Sequence, residues 1–314
     1  MSLMQHRTRS AASALWIVVA LSIAGMPTMN AQAVRQSENR YRANSSLVLI
    51  PVTVTDPHSA SINGLDRDSF AILDNGRPQP ISVFYTEDAP CSVGIVLDVS
   101  GSMKKKLELG KSAIHAFLGA SNPEDDFFLV TVSSNPGAIT GPVADVSEID
   151  AHARAAVAGG GTALYDAVYL ALHHVRSGGK KRRALLVISD GMDNLSRYSK
   201  GELMNIAVES DTQVYSMAIA GTRAGVKGAE LAEIQRGLQF MQEVAMRTGG
   251  MSIRLRDYED PATAATRLAA ALRNQYVIGY RSPDDGQSEK WHRIQVKVKL
   301  NKANVYARSG YQAQ

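Results

Sequence analysis

The alternation of apolar and polar positions divides the chain into stretches with different periods. The run Leu47-Val48-Leu49-Ile50-Pro51-Val52-Thr53-Val54-Thr55 is rich in β-branched residues and predicts a strand, with Pro51 pushing it towards a sheet edge. Phe70-Ala71-Ile72-Leu73 and Pro80 to Tyr85 flank Asp74-Asn75-Gly76-Arg77, and Asn-Gly between apolar runs predicts a hairpin. At the far end Tyr276 to Tyr280 and Asn304 to Arg308 read as strands. Between them, inside Trp291 to Leu300, Ile294, Val296 and Val298 alternate with Gln295, Lys297 and Lys299. Neither end holds enough alternating strands to bury a core, so the two are expected to build one sandwich together.

The middle, from about Pro90 to Gln275, has another rhythm. Continuously apolar runs at Ser92 to Leu97, Phe127 to Val132, Ala184 to Ser189, Gln213 to Ile219 and Met251 to Leu255 alternate with helical patterns. Those helices are expected at Lys104 to Leu118, Ser147 to Ala158, Ala163 to Val175, Lys200 to Ser210, Ala229 to Arg247 and Pro261 to Asn274. Strands covered on both faces lose their alternation, so this order predicts a parallel sheet between two helical layers. Ala138 to Val143 follows its predecessor too closely for a crossover and predicts an antiparallel edge. The expected fold class is α/β: a doubly wound, mainly parallel sheet at residues 90–275, inserted in a smaller all-β sandwich-like domain made of residues 34–89 and 276–314. Polar Val34 to Ser46 predicts a mobile terminus.

Residues 1–33 follow none of these patterns. His6, Arg7 and Arg9 precede apolar Ala11 to Ala24 and then Ala31-Gln32-Ala33, the layout of a secretory signal peptide with its cleavage site. The apolar run is shorter than the ~20 residues that a spanning helix needs, which favours cleavage over an anchor. A secreted or periplasmic mature chain without a membrane span is therefore expected. The formal charge of +4 includes Arg7 and Arg9 and falls to +2 without them, too weak a balance to indicate nucleic acid. The runs Lys104-Lys105-Lys106 and Lys180-Lys181-Arg182-Arg183 read as solvated surface, the first placed where it favours an anionic partner. A lone Cys91 excludes an internal disulfide and suits an inert apolar position.

Candidate chemistry gathers where two apolar runs end in acids. After Val93-Gly94-Ile95-Val96-Leu97 comes Asp98-Val99-Ser100-Gly101-Ser102, and on an extended chain Asp98, Ser100 and Ser102 point the same way. A carboxylate with two hydroxyls suits a hard cation such as Mg²⁺, which prefers octahedral oxygen coordination. The simpler reading is a turn that caps the next helix. Two further stretches favour the metal: Gly159-Gly160-Gly161-Thr162 opens a helix, and Leu185-Leu186-Val187-Ile188-Ser189-Asp190-Gly191 ends in a second acid.

With these residues in place the chain resembles the von Willebrand factor type A family. That family's metal-ion-dependent adhesion site combines Asp-x-Ser-x-Ser, a Thr and a second Asp from three loops. The resemblance implies a metal site of Asp98, Ser100, Ser102, Thr162 and Asp190. Ser100, Ser102 and, in the ligand-ready state, Thr162 would bind directly, while Asp98 and Asp190 act mostly through water. It also implies Mg²⁺, with Mn²⁺ or Ca²⁺ as substitutes, and a protein partner whose Asp or Glu completes the coordination shell. The expected function is thus a secreted, metal-dependent protein-binding module for adhesion or assembly, and not an enzyme.

Other chemistries fit less well. A Mg²⁺-dependent hydrolase and a structural module with a metal-stiffened site remain as alternatives. The P-loop requires Gly-Lys-Ser/Thr ahead of a helix, whereas Ser177-Gly178-Gly179-Lys180-Lys181 lacks the hydroxyl and precedes a strand. Val99-Ser100-Gly101 is not a Gly-x-Ser-x-Gly elbow. A phosphoryl-accepting aspartate of the haloacid dehalogenase type has a second Asp two residues on, where Ser100 stands here. His173 and His174 are adjacent on a helix and cannot form an i, i+4 zinc pair, and His58, His115, His152 and His292 are isolated. Asp193 reads as a turn residue.

Overall fold

A computed structural model of the chain describes residues 47–138, 140–219, 228–256, 259–282 and 291–312. The expected signal peptide and polar terminus lie outside the described residues. In chain order the strands and helices are β1 Leu47–Thr55, β2 Phe70–Asp74, β3 Arg77–Gln79, β4 Val83–Glu87, β5 Cys91–Asp98, α1 Leu107–Ala120, β6 Asp126–Val132, β7 Gly137–Ala138, α2 Val146–Ala155 and α3 Leu164–His174. There follow β8 Arg182–Ser189, α4 Lys200–Glu209, β9 Gln213–Ala218, α5 Ala229–Thr248, β10 Ser252–Arg254, α6 Pro261–Arg273, β11 Gln275–Arg281, β12 Trp291–Val298, β13 Asn304–Ala307 and β14 Gly310–Gln312.

The apolar runs of the middle form a six-stranded sheet in the order β10-β9-β8-β5-β6-β7, parallel except for β7. Every residue of β5 is buried, which explains why its sequence shows no alternation. Leu107, Ile114 and Phe117 of α1 cover one face together with α2 and α6. Leu164 and Val168 of α3 cover the other with α4 and α5. From β5 the chain moves to β6 on one side and then to β8 on the other, so the winding reverses at β5 and opens a crevice at the carboxyl ends of β5 and β8. Helix α1 starts at Leu107 and not at Lys104, because Gly101–Met103 first make a 3₁₀ turn.

The two chain ends build two four-stranded sheets, β13-β1-β11-β4 and β14-β12-β2-β3. Ile50, Val52, Phe70, Ile72, Tyr276, Ile278 and Ile294 fill the space between them. Asn75 and Gly76 carry φ of 49° and 79°, the paired positive values of a type I′ turn. The hairpin's second limb is nevertheless the three residues of β3, since Val83 to Glu87 crosses to the other sheet and pairs with β11. Contrary to expectation, β1 is an interior strand. Its pairing with β13 ends at Val52↔Ala307, so Pro51 has no β13 residue opposite it and its missing N–H breaks no ladder on that flank.

The α/β part joins the sandwich through β4 and β11, where Gln275 pairs with Glu87. Arg182 staples this neck, donating to Ala89 O at 2.6 Å, Leu272 O at 2.7 Å and Gln275 Oε1 at 2.9 Å. Arg273 reinforces it through an ion pair with Asp88 at 2.8 Å. Arg182 is thus a half-buried structural residue and not part of a solvated run.

Candidate functional site

At the β5/β8 crevice the first acid is withdrawn completely from solvent. Asp98 is 0 % exposed, its Oδ1 accepts from Ser100 N at 2.9 Å, and its Oδ2 accepts from Ser189 Oγ at 2.5 Å. Burial pushes its carboxyl up to about 6, while the donations from Ser100 and Ser189 hold that rise back and the Asp190 charge adds to it. Asp190 is 1 % exposed and stands at the carboxyl end of β8. Ser100 Oγ lies 3.0 Å from Ser102 Oγ, and Ser102 Oγ donates to Asp190 Oδ1 at 3.1 Å. Asp98, Ser100, Ser102 and Asp190 therefore meet across a sequence separation that only the parallel pairing of β5 and β8 can close.

Thr162 is buried on the adjoining loop and joins through the backbone. Gly159 N donates to Val99 O at 2.8 Å and Gly101 N to Gly160 O at 3.0 Å, which ties the glycine loop to the Asp-Ser loop. On its other side Asn194 Oδ1 accepts from Thr162 N at 3.0 Å, and Asp193 Oδ1 accepts from Leu164 N at 3.0 Å. Asp193 is therefore more than a turn residue: it binds an open N–H at the start of α3 from a separate loop. The Asp190 loop in turn presses against α5. Gly191 has φ of +84°, and a Cβ there would stand 2.8 Å from Leu238 N.

Three participants went unmarked as site residues in the sequence: Lys106, Ser189 and Asn194. Lys106 belongs to the basic run read as solvated, yet its side chain is only 11 % exposed and its Nζ lies 2.8 Å from Asp190 Oδ2. Ser189 accepts from Gly191 N at 3.0 Å while donating to Asp98, so it locks both acid loops. Its signal was the hydroxyl directly before Asp190. No comparable cue singles out Lys106 among three consecutive lysines.

Among the described residues no three His, Cys, Asp or Glu side chains gather as a metal cluster. The candidate set consists instead of two carboxylates and neighbouring hydroxyls, a donor chemistry that fits a hard divalent cation and not a soft one. A cationic group already rests on it, the ammonium of Lys106.

Residues 93–192 match the family model of the von Willebrand factor type A domain, VWA_2. That match spans about a third of the chain and, with the sheet, makes this region similar to von Willebrand factor type A domains, a class generally engaged in protein–protein interaction. An uncharacterized protein of Borreliella burgdorferi is 26% identical over 152 residues, which make up 43% of this chain and 42% of that protein. The chain thus matches about two-fifths of the length of that curated relative. Among solved structures, a von Willebrand factor type A protein from Catenulispora acidiphila is similar at 14% identity and a TM-score of 0.48, over 87% of this chain and 74% of that one. An aerotolerance-related membrane protein from Bacteroides fragilis is similar at 19% identity and a TM-score of 0.45, over 59% of this chain and 98% of that one.

Proposed function

We propose that this chain is a metal-dependent protein-binding module. The observation that carries the reading is the convergence of Asp98, Ser100, Ser102 and Asp190 at the sheet's switch point, with the Thr162 loop tied against them. Ser100, Ser102 and Thr162 would hold Mg²⁺, or Mn²⁺ or Ca²⁺, with Asp98 and Asp190 behind them. The bound ion would supply a positive charge that neutral hydroxyls leave largely uncancelled, and so attract an Asp or Glu side chain of a protein partner. The chain's own part is to fix the donors on short loops anchored in buried strands.

We read the site as non-catalytic, for adhesion or assembly. Ser100 and Ser102 hydrogen-bond to each other, to Asp98 and to Asp190, hydroxyl and carboxylate groups that suit holding a cation. The leader pattern at residues 1–33 supports a secreted or periplasmic location, and among the described residues no helix is long and apolar enough to cross a membrane. Calorimetry with Mg²⁺ and Mn²⁺, followed by partner capture with and without chelator, tests the reading. Heat of metal binding and chelator-sensitive capture of a carboxylate-bearing partner are expected. Absence of metal binding, or turnover of a phosphate ester at this site, would reject it.

A further inference from the structure

Lys106 is oddly placed for a surface lysine. Its neighbours Lys104 and Lys105 are exposed, whereas Lys106 turns inward and places its ammonium on Asp190 Oδ2 at 2.8 Å. It also occupies the N-cap of α1 without capping that helix, and a cation at a helix start is opposed by the helix dipole. What offsets this arrangement is the acid pair. Asp98 and Asp190 are both buried, and Asp190 presents one oxygen to Ser102 and the other to Lys106.

We propose that Lys106 is a tethered cation that competes with the divalent ion for the Asp190 side of the site, and so sets how tightly the metal binds. This rests on the metal-binding reading above. A divalent ion ligated by Ser100 and Ser102 must share the Asp190 carboxylate with an ammonium already bound to it. Like charges so close repel, so the metal binds only as the ammonium withdraws. The lysine stem is long and flexible, which lets the head leave without moving the backbone. Once released, the same ammonium stands beside the site as a second positive group for an incoming carboxylate. The chain thereby keeps the Asp190 carboxylate paired when metal is scarce.

The test is Mn²⁺ titration by calorimetry at low ionic strength on the full chain, comparing wild type with Lys106→Met and Lys106→Gln. Both variants keep much of the stem's packing and remove the charge. They are expected to bind Mn²⁺ roughly tenfold more tightly than wild type, as loss of one nearby like charge predicts. On wild-type protein, amine-reactive labelling of Lys106 read by mass spectrometry is expected to rise several-fold when Mn²⁺ is added, a measurement that needs no variant to fold. Equal or weaker Mn²⁺ affinity in both variants, with wild type binding normally, overturns the competition and leaves the metal site standing. Labelling that stays unchanged at saturating Mn²⁺ overturns the withdrawal of the ammonium. No Mn²⁺ binding by wild type or by either variant overturns both this inference and the metal reading.

Discussion

Two buried acids, Asp74 in the sandwich and Asp190 at the sheet crevice, are equally hidden from solvent and differently satisfied. Asp74 ends β2, and its carboxylate meets His292 Nδ1 at 2.9 Å from both oxygens and accepts from Tyr280 Oη at 2.8 Å. Those partners come from β11 and β12, so the acid bolts one sheet to the other, and Tyr311 stacks over His292 with ring centres 4.9 Å apart. Burial, then Tyr311 and Asp74, push the Tyr280 phenol up, which keeps it a donor. Asp190 is served instead by loop groups: a serine hydroxyl, the Met192 N–H and the Lys106 ammonium. An acid closed by strands is a structural rivet. Asp190 is closed at a crevice by groups that come from loops and not from the strands of a core.

That contrast can be broken by experiments ranked by their effect on stability. Deleting residues 276–314 removes β11 from between β1 and β4 and β12 from beside β2. Limited proteolysis is expected to cut residues 47–89 rapidly in the truncated chain, and resistance equal to wild type would show that the N-terminal strands hold themselves together. Next comes Asp74→Ala, which removes the buried carboxylate that His292 and Tyr280 share and is expected to cost about 3 kcal/mol in chemical denaturation. Mn²⁺ affinity should stay at the wild-type value, and a parallel loss of metal binding would mean that the two acids are not separate in function.

A smaller effect is expected at Asp193. Its replacement by Ala removes the partner of Leu164 N and of the Ser196 hydroxyl, at a cost of about 1 kcal/mol, as for other lost helix-start bonds. Thermal melting measures it, and a shift as large as that of Asp74→Ala would place Asp193 among the rivets. Last come Asp98→Ala and Thr162→Ala, which are expected to keep the fold because Asp98 is only the terminal residue of β5 and Thr162 lies on a loop, so the apolar strand core stays in place. Both should keep the wild-type circular dichroism spectrum while abolishing Mg²⁺-dependent partner capture. Normal capture by the Asp98→Ala protein would sink the adhesion-site reading.

Asp98 and Asp190 were legible as candidates because each follows an apolar run, where local pattern alone predicts both the strand and its terminus; Ser100 and Ser102 follow from their spacing after Asp98, and Thr162 from the glycines before it. The α/β order was legible for the same reason: strands buried on two faces announce themselves. Lys106 and Arg182 were not, since each lies in a run of like residues and only distant partners decide which member turns inward. Arg182 faces the neck because Ala89 and Leu272 offer carbonyls there, a fact carried by no neighbour in sequence. His292 likewise looked isolated although Asp74, 218 residues away, is its partner. Pro51 misled in the opposite direction. Its general aversion to interior strands is real, but it acts residue by residue, and β13 stops one residue short of it.

The neck between β4 and β11 has a kinetic meaning. Seen from the sandwich, the whole α/β part is one very long loop between Glu87 and Gln275. Joining the ends of a floppy loop costs entropy that grows with the logarithm of its length. A loop that has already folded into a rigid body with its ends side by side, and with Arg182 gripping both, presents almost none of that cost. The sandwich must otherwise wait on contacts between residues more than two hundred positions apart, the slow kind in any chain. Whenever the α/β part forms first, β4 and β11 are delivered to each other as neighbours, and the outer strands have a ready edge on which to assemble.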